Sequence, residues 1–106
     1  MLFRSESALN LGLAVGAEVM AFVKSSSILL VEDRDVKLSA RNRLRGTVER
    51  LHEGPVNTEV TVALAGARHV VTAVITGDSA QRMGLEIGLP IVAAFKASSV
   101  FLLTLD

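Results

Sequence analysis

Leu44-Arg45-Gly46-Thr47-Val48-Glu49-Arg50-Leu51, followed after His52-Glu53-Gly54-Pro55 by Val56-Asn57-Thr58-Glu59-Val60-Thr61-Val62-Ala63-Leu64, is the stretch that sets the fold class. The first run alternates with period two, Leu44, Gly46, Val48 and Arg50 against Arg45, Thr47, Glu49 and Leu51. The second carries Val60, Val62 and Leu64 at the same period. Turn residues between two such runs predict paired strands.

Downstream, Ala65-Gly66-Ala67 reads as a short hairpin connection, and β-branched His69 to Thr76 as a third strand. The period then changes. Asp78 or Ser79 is the expected N-cap of one or two helical turns through Ala80-Gln81-Arg82-Met83, stopped by Gly84. Gly88-Leu89-Pro90 turns the chain into strands at Ile91 to Lys96 and Val100 to Leu103. Five strands with one short helix after the third predict an all-β, OB-like five-stranded barrel.

Sliding the chain by 72 positions reveals a repeat. Ser7, Ala8, Gly12, Leu13, Gly16, Ala21, Lys24, Ser26, Ser27 and Leu30 fall on Ser79, Ala80, Gly84, Leu85, Gly88, Ala93, Lys96, Ser98, Ser99 and Leu102. The front of the chain is thus expected to be a partial copy over residues 1–33. It would hold a third strand (Met1 to Phe3), a helix near Ser5 to Leu11, and last strands at Ala17 to Val23 and Ser27 to Val31. Residues 34–37 form a charged linker, and residues 38–106 the complete unit. A partial unit cannot bury its own apolar faces, so a neighbouring domain or subunit is expected to complete it.

Composition narrows the function. Eleven basic and eleven acidic residues leave the 106-residue chain formally neutral, without the basic excess of a nucleic-acid binder. Trp and Tyr are absent, so stacking platforms for single strands are lacking. The chain has no cysteine, which excludes disulfides and thiolate metal sites and is consistent with the cytoplasm. Met1-Leu2-Phe3-Arg4 runs into polar Ser5-Glu6-Ser7 without the apolar core of a signal peptide. His52 and His69 stand in no metal-binding spacing, and nucleophile-elbow, P-loop and dinucleotide fingerprints are missing. Binding without catalysis is expected.

Ser39-Ala40-Arg41-Asn42 offers a hydroxyl, a planar guanidinium that can grip two oxygens, and an amide. Such a cluster suits an oxyanion, and it also suits a solvated turn. Thr76 and Ser79 bracket a helix start, where backbone N–H groups favour an anion; a simple N-cap is the plain alternative. Lys96 before Ala97-Ser98-Ser99 could be an exposed loop lysine, yet Lys24 recurs at the equivalent place before Ser25-Ser26-Ser27.

Ser39-Ala40-Arg41-Asn42 with Gly46-Thr47-Val48, Glu53-Gly54-Pro55-Val56-Asn57-Thr58-Glu59-Val60, Ile75-Thr76 with Ser79-Ala80, Gly84-Leu85 with Gly88, and Lys96-Ala97-Ser98-Ser99-Val100 together resemble the Mop (TOBE-like) domain. These small OB-like domains bind molybdate and tungstate in molbindins and in the effector half of ModE-type regulators. The resemblance covers Leu38 to Leu103 whole and Met1 to Val31 in part. It implies a non-enzymatic molybdate or tungstate binder, a homo-oligomer with oxyanion sites at subunit or domain interfaces, and no metal held directly by protein ligands. The residues it implies are Ser39, Arg41, Asn42, Thr76, Ser79, Lys96, Ala97 and Ser98, with Ser7, Lys24 and Ser25 in the partial copy. Arg4 stands where Thr76 stands in the complete unit, a departure from the pattern. The role implied is the sensor domain of a molybdate-responsive transcriptional regulator. The alternatives are a molybdate-storing molbindin and, from a different class, a generic OB-fold interaction module. Sulfate shares molybdate's charge and shape but is smaller, so discrimination would rest on cavity size and donor spacing.

Overall fold

Alternation continues upstream of the strand it announces. Inward Ala40, Asn42, Gly46 and Val48 are buried while Ser39, Arg41, Arg43, Arg45 and Thr47 are exposed. The computed structural model describes residues 2–4, 18–66 and 69–104. Its strands are β1 (Leu2–Arg4), β2 (Glu18–Val23), β3 (Leu29–Glu32), β4 (Asn42–Glu53), β5 (Asn57–Leu64), β6 (Val70–Thr76), β7 (Pro90–Phe95) and β8 (Val100–Thr104), with helix α1 (Gly77–Met83) after β6. Single 3-10 turns lie at Ser25–Ser27 and Ala97–Ser99. The helix expected near Ser5 to Leu11 lies outside the described residues.

All pairings are antiparallel, in a five-stranded sheet of order β3-β7-β4-β5-β6 and a three-stranded sheet of order β1-β2-β8. The five-stranded sheet with its one helix is the expected OB-like architecture. It curls around Val48, Val60, Val62, Ala73, Ile91 and Phe95, all nearly inaccessible. Two local features produce the curl. A bulge between Val48 and Arg50 adds a residue to β4, which tightens its twist. Gly46 lets β5 close in, since a Cβ there would collide with the carbonyl oxygen of Ala63. The bulge also corrects the expected alternation: Glu49 and Arg50 are both exposed, and Leu51 is half-buried against the core.

The fifth strand is a second correction. The sequence assigns β7 and β8 to one unit as its last two strands, yet they do not pair with each other. β3, from the front copy, pairs with β7, and β8 pairs with β2 of the front copy. The exchange is symmetric under the 72-residue shift: Leu29↔Ala94 corresponds to Phe22↔Phe101, and Glu32↔Ile91 to Val19↔Thr104. Its cause is local. Lys96 and Val100, either side of the 3-10 turn, are both extended, as are Lys24 and Ile28. The turn therefore kinks the chain without folding it into a hairpin, and each copy's last strand travels on to the other sheet.

β1 corresponds by the repeat to the end of β6, which is separated from β7 by two strands, β4 and β5. Here it pairs directly with β2, Leu2↔Met20 occupying the place that Arg45↔Val92 holds between β4 and β7. An open strand edge carries unpaired N–H and C=O groups, and β1 satisfies those of β2.

Candidate oxyanion site

Asn42 opens β4 opposite Phe95, the last residue of β7. One step outward along each chain stand Arg41 and Lys96, so the opening turn and the lysine turn meet at one end of the sheet. Both side chains are exposed. Ala40, 2% exposed, anchors the opening turn to the core and leaves Ser39 and Arg41 outside. Among the described residues the ion pairs are Arg34–Glu32, Arg45–Asp33 and Arg82–Asp78, and none takes up Arg41, Lys96 or Lys24.

The strand exchange sets a second lysine turn at the same crossing. Val23↔Val100 on one side and Leu29↔Ala94 on the other flank both turns. Lys24-Ser25-Ser26-Ser27 and Lys96-Ala97-Ser98-Ser99 therefore bridge the same two sheets, the first packing against β6 and the second next to Arg41. Ser26 and Ser98 are exposed, Ser25 and Ala97 half-buried. A 3-10 turn leaves its first N–H groups without partners inside the turn. Arg41 and Lys96, with nearby hydroxyls and free backbone donors, suit a compact anion with several oxygens, and among the described residues no ion pair occupies either cation.

Thr76 and Ser79 are not part of this group. Thr76 pairs with Asn57 at the end of the sheet where β4 terminates, away from the Asn42–Phe95 end. There it caps α1, a correction to the expected Asp78 or Ser79 cap. Its Oγ1 accepts from the Ser79 backbone N–H at 3.1 Å and donates to the Ser79 hydroxyl at 2.8 Å. A threonine three residues before the donating N–H has the right reach, whereas Ser79 already lies inside the helix. Ser7, the counterpart of Ser79 in the front copy, lies outside the described residues. Asn42 also differs from expectation. It is 2% exposed, and neither its Nδ2 nor its Oδ1 has a hydrogen-bond partner.

The sequence alone did not show that both lysine turns would lie at one strand crossing; the repeated Lys-x-Ser-Ser was the one signal. His52 and His69 are exposed, and no metal-holding cluster of three or more His, Cys, Asp or Glu occurs among the described residues. Nor is any helix among them long and apolar enough to cross a membrane.

Residues 38–102 match the TOBE domain family. The "Molybdenum transport protein ModE" of Azotobacter vinelandii is 54% identical over 96 residues, covering 91% of this chain and 35% of that protein. The chain therefore spans about a third of the length of such relatives. Among solved structures, the cytoplasmic molybdate-binding protein ModG with molybdate bound superposes with a TM-score of 0.78 at 45% identity, covering 92% of this chain and 69% of that one. MopII from Clostridium pasteurianum superposes at 0.59 with 36% identity, covering 63% of this chain and 98% of its own.

Proposed function

Because the chain belongs to the TOBE domain family, we propose that it binds molybdate or tungstate at the strand crossing and performs no chemistry on the anion. The observation that carries this is the pairing of Asn42 with Phe95, which sets Arg41 beside the Lys96 turn at one end of the sheet. Molybdate is a tetrahedral dianion. The Arg41 guanidinium can take two of its oxygens, the lysine ammonium groups supply point charge, and Ser39, Ser25, Ser98 and the Ala97 N–H supply neutral donors. Asn42 lies buried beneath the opening turn. No proton or electron transfer is required.

Thr76 and Ser79 of the same chain face elsewhere. In this proposal they serve a site only across an interface, so the binding form is a homo-oligomer in which one copy's helix start approaches another copy's crossing, with Ser7 in the corresponding place of the front copy. The division of the chain at residues 34–37 is likewise proposed as one of sequence units, since strands from both sides share each sheet. The role proposed is the molybdate-sensing part of a cytoplasmic transcriptional regulator, in line with the 54% identity to ModE. Storage is the second reading; the likeness to the molybdate-binding protein ModG over 92% of the chain supports binding in either role.

Arg41→Ala and Lys96→Ala test the site. A charge-assisted contact is worth about 1.5–3 kcal/mol, so each should weaken molybdate binding by roughly ten- to a hundred-fold in titration calorimetry. Unchanged affinity in both variants would remove the site from the crossing.

A further inference from the structure

One inward position of β4 breaks the pattern of its neighbours. Along the row Ala40, Asn42, Leu44, Gly46, Val48, only Asn42 is polar. It packs opposite Phe95, itself 1% exposed, and is 2% exposed itself. Both polar atoms of its amide are buried and unpartnered. Buried polar groups in folded proteins almost always have partners, because water's hydrogen bonds are lost on burial. An apolar residue at this position would therefore favour the free chain.

The place of the amide is informative. Arg41 and Arg43 flank it in the chain, and Lys96 follows its cross-strand partner. It lies beneath the junction of the opening turn and the lysine turn. An amide is both donor and acceptor, so it can hold one backbone carbonyl and one backbone N–H together. The turns on either side, 39–41 and 96–99, are the segments lacking ladder pairing next to it.

We propose that Asn42 is a positioning residue of the oxyanion site: its amide takes backbone partners in the Ser39–Arg41 and Lys96–Ser99 turns when those turns close on the anion. Asn42 does not touch the ligand. It sets the spacing between Arg41 and Lys96, and the free energy of its unpartnered state is recovered on binding. The inference rests on the oxyanion reading of the crossing.

Asn42→Val tests it, since valine favours strand conformation and has no amide. The ligand-free variant should melt a few degrees above the wild type, and its molybdate affinity should fall about ten-fold or more. In the wild type, the Asn42 side-chain NH2 resonances should shift and exchange more slowly when molybdate is added. If crowding against Phe95 prevents the valine variant from folding, Asn42→Ala and the wild-type NH2 resonances give the same answer. Unchanged affinity in a folded variant, or NH2 resonances indifferent to molybdate, would overturn the proposal. A fall in melting temperature and affinity together would overturn it too, by making the amide a support of the free fold. These outcomes presuppose wild-type binding of molybdate; its absence would overturn the oxyanion reading, and this inference with it.

Discussion

Arg41 and Lys96 stand next to each other with like charge, and among the described residues no carboxylate pairs with either. Like charges brought near each other at a protein surface repel, and salt screens that repulsion. Bound dianion reverses the sign of that interaction, so the strain of the free site favours occupancy. Arg41→Ala should then leave thermal stability of the ligand-free protein unchanged or raised while reducing affinity; a lowered melting temperature would mean that Arg41 supports the fold. Thr76 works differently. Its Oγ1 satisfies the Ser79 N–H at the start of α1, and Thr76→Ala should cost about 1 kcal/mol in denaturant unfolding. The chemical types of these residues were legible in the sequence. Ser39 and Arg41 stood in a recognisable polar cluster, and Thr76 was marked at the helix start. The identity of the cap was not, because Thr76, Asp78 and Ser79 all have suitable side chains and only the backbone path selects among them. The burial of Asn42 was half-legible: alternation puts it inward, but it had been read as a donor facing the anion.

The strands β4 and β5 form the curled centre of the larger sheet, and Gly46 is where they approach most closely. Gly46→Val would drive a side chain into the Ala63 carbonyl and the Val62 side chain. The expected cost is at least about 2 kcal/mol, beyond ordinary overpacking because backbone must move; thermal unfolding measures it. Alternation at 44–48 and 60–64 made both strands readable. The bulge at Glu49 has a signal that strict alternation passes over: Arg50 falls on the apolar row and Leu51 on the polar one, an inversion that one extra residue explains. The exchange of β3 and β8 was hidden. A two-strand ending looks the same whether the last strand folds back or travels on, and the choice lies in the extended residues around Ser25–Ser27 and Ala97–Ser99. Since the chain has no cysteine, the doubly substituted Leu30→Cys, Ala93→Cys protein tests the exchange cleanly. These residues are cross-strand partners, so an oxidised disulfide should form within one chain. No cross-link on oxidation would contradict the pairing of β3 with β7.

Across the whole molecule, the repeat and the exchange together make one crossing out of two copies of the Lys-x-Ser-Ser turn. Neither copy alone would assemble it, and the front copy contributes strands to both sheets. The smaller sheet leaves Phe22 and Phe101, a cross-strand pair, 46% and 69% exposed, while Ala94, the repeat counterpart of Phe22, is wholly buried. Two exposed phenylalanines beside the cationic crossing are consistent with the proposed interface between copies, and sedimentation of the protein with and without molybdate should report an oligomer. The five-stranded sheet, the short helix and the family were readable because several motifs occur in fixed order. The exchange between the copies was not, since it depends on which sheet receives each last strand. The most direct measurement is titration calorimetry of the intact chain with molybdate, tungstate and sulfate under identical conditions. Tight, saturable binding of molybdate and tungstate with much weaker sulfate binding is expected; equal and weak binding of all three would contradict a dedicated oxyanion site at the crossing.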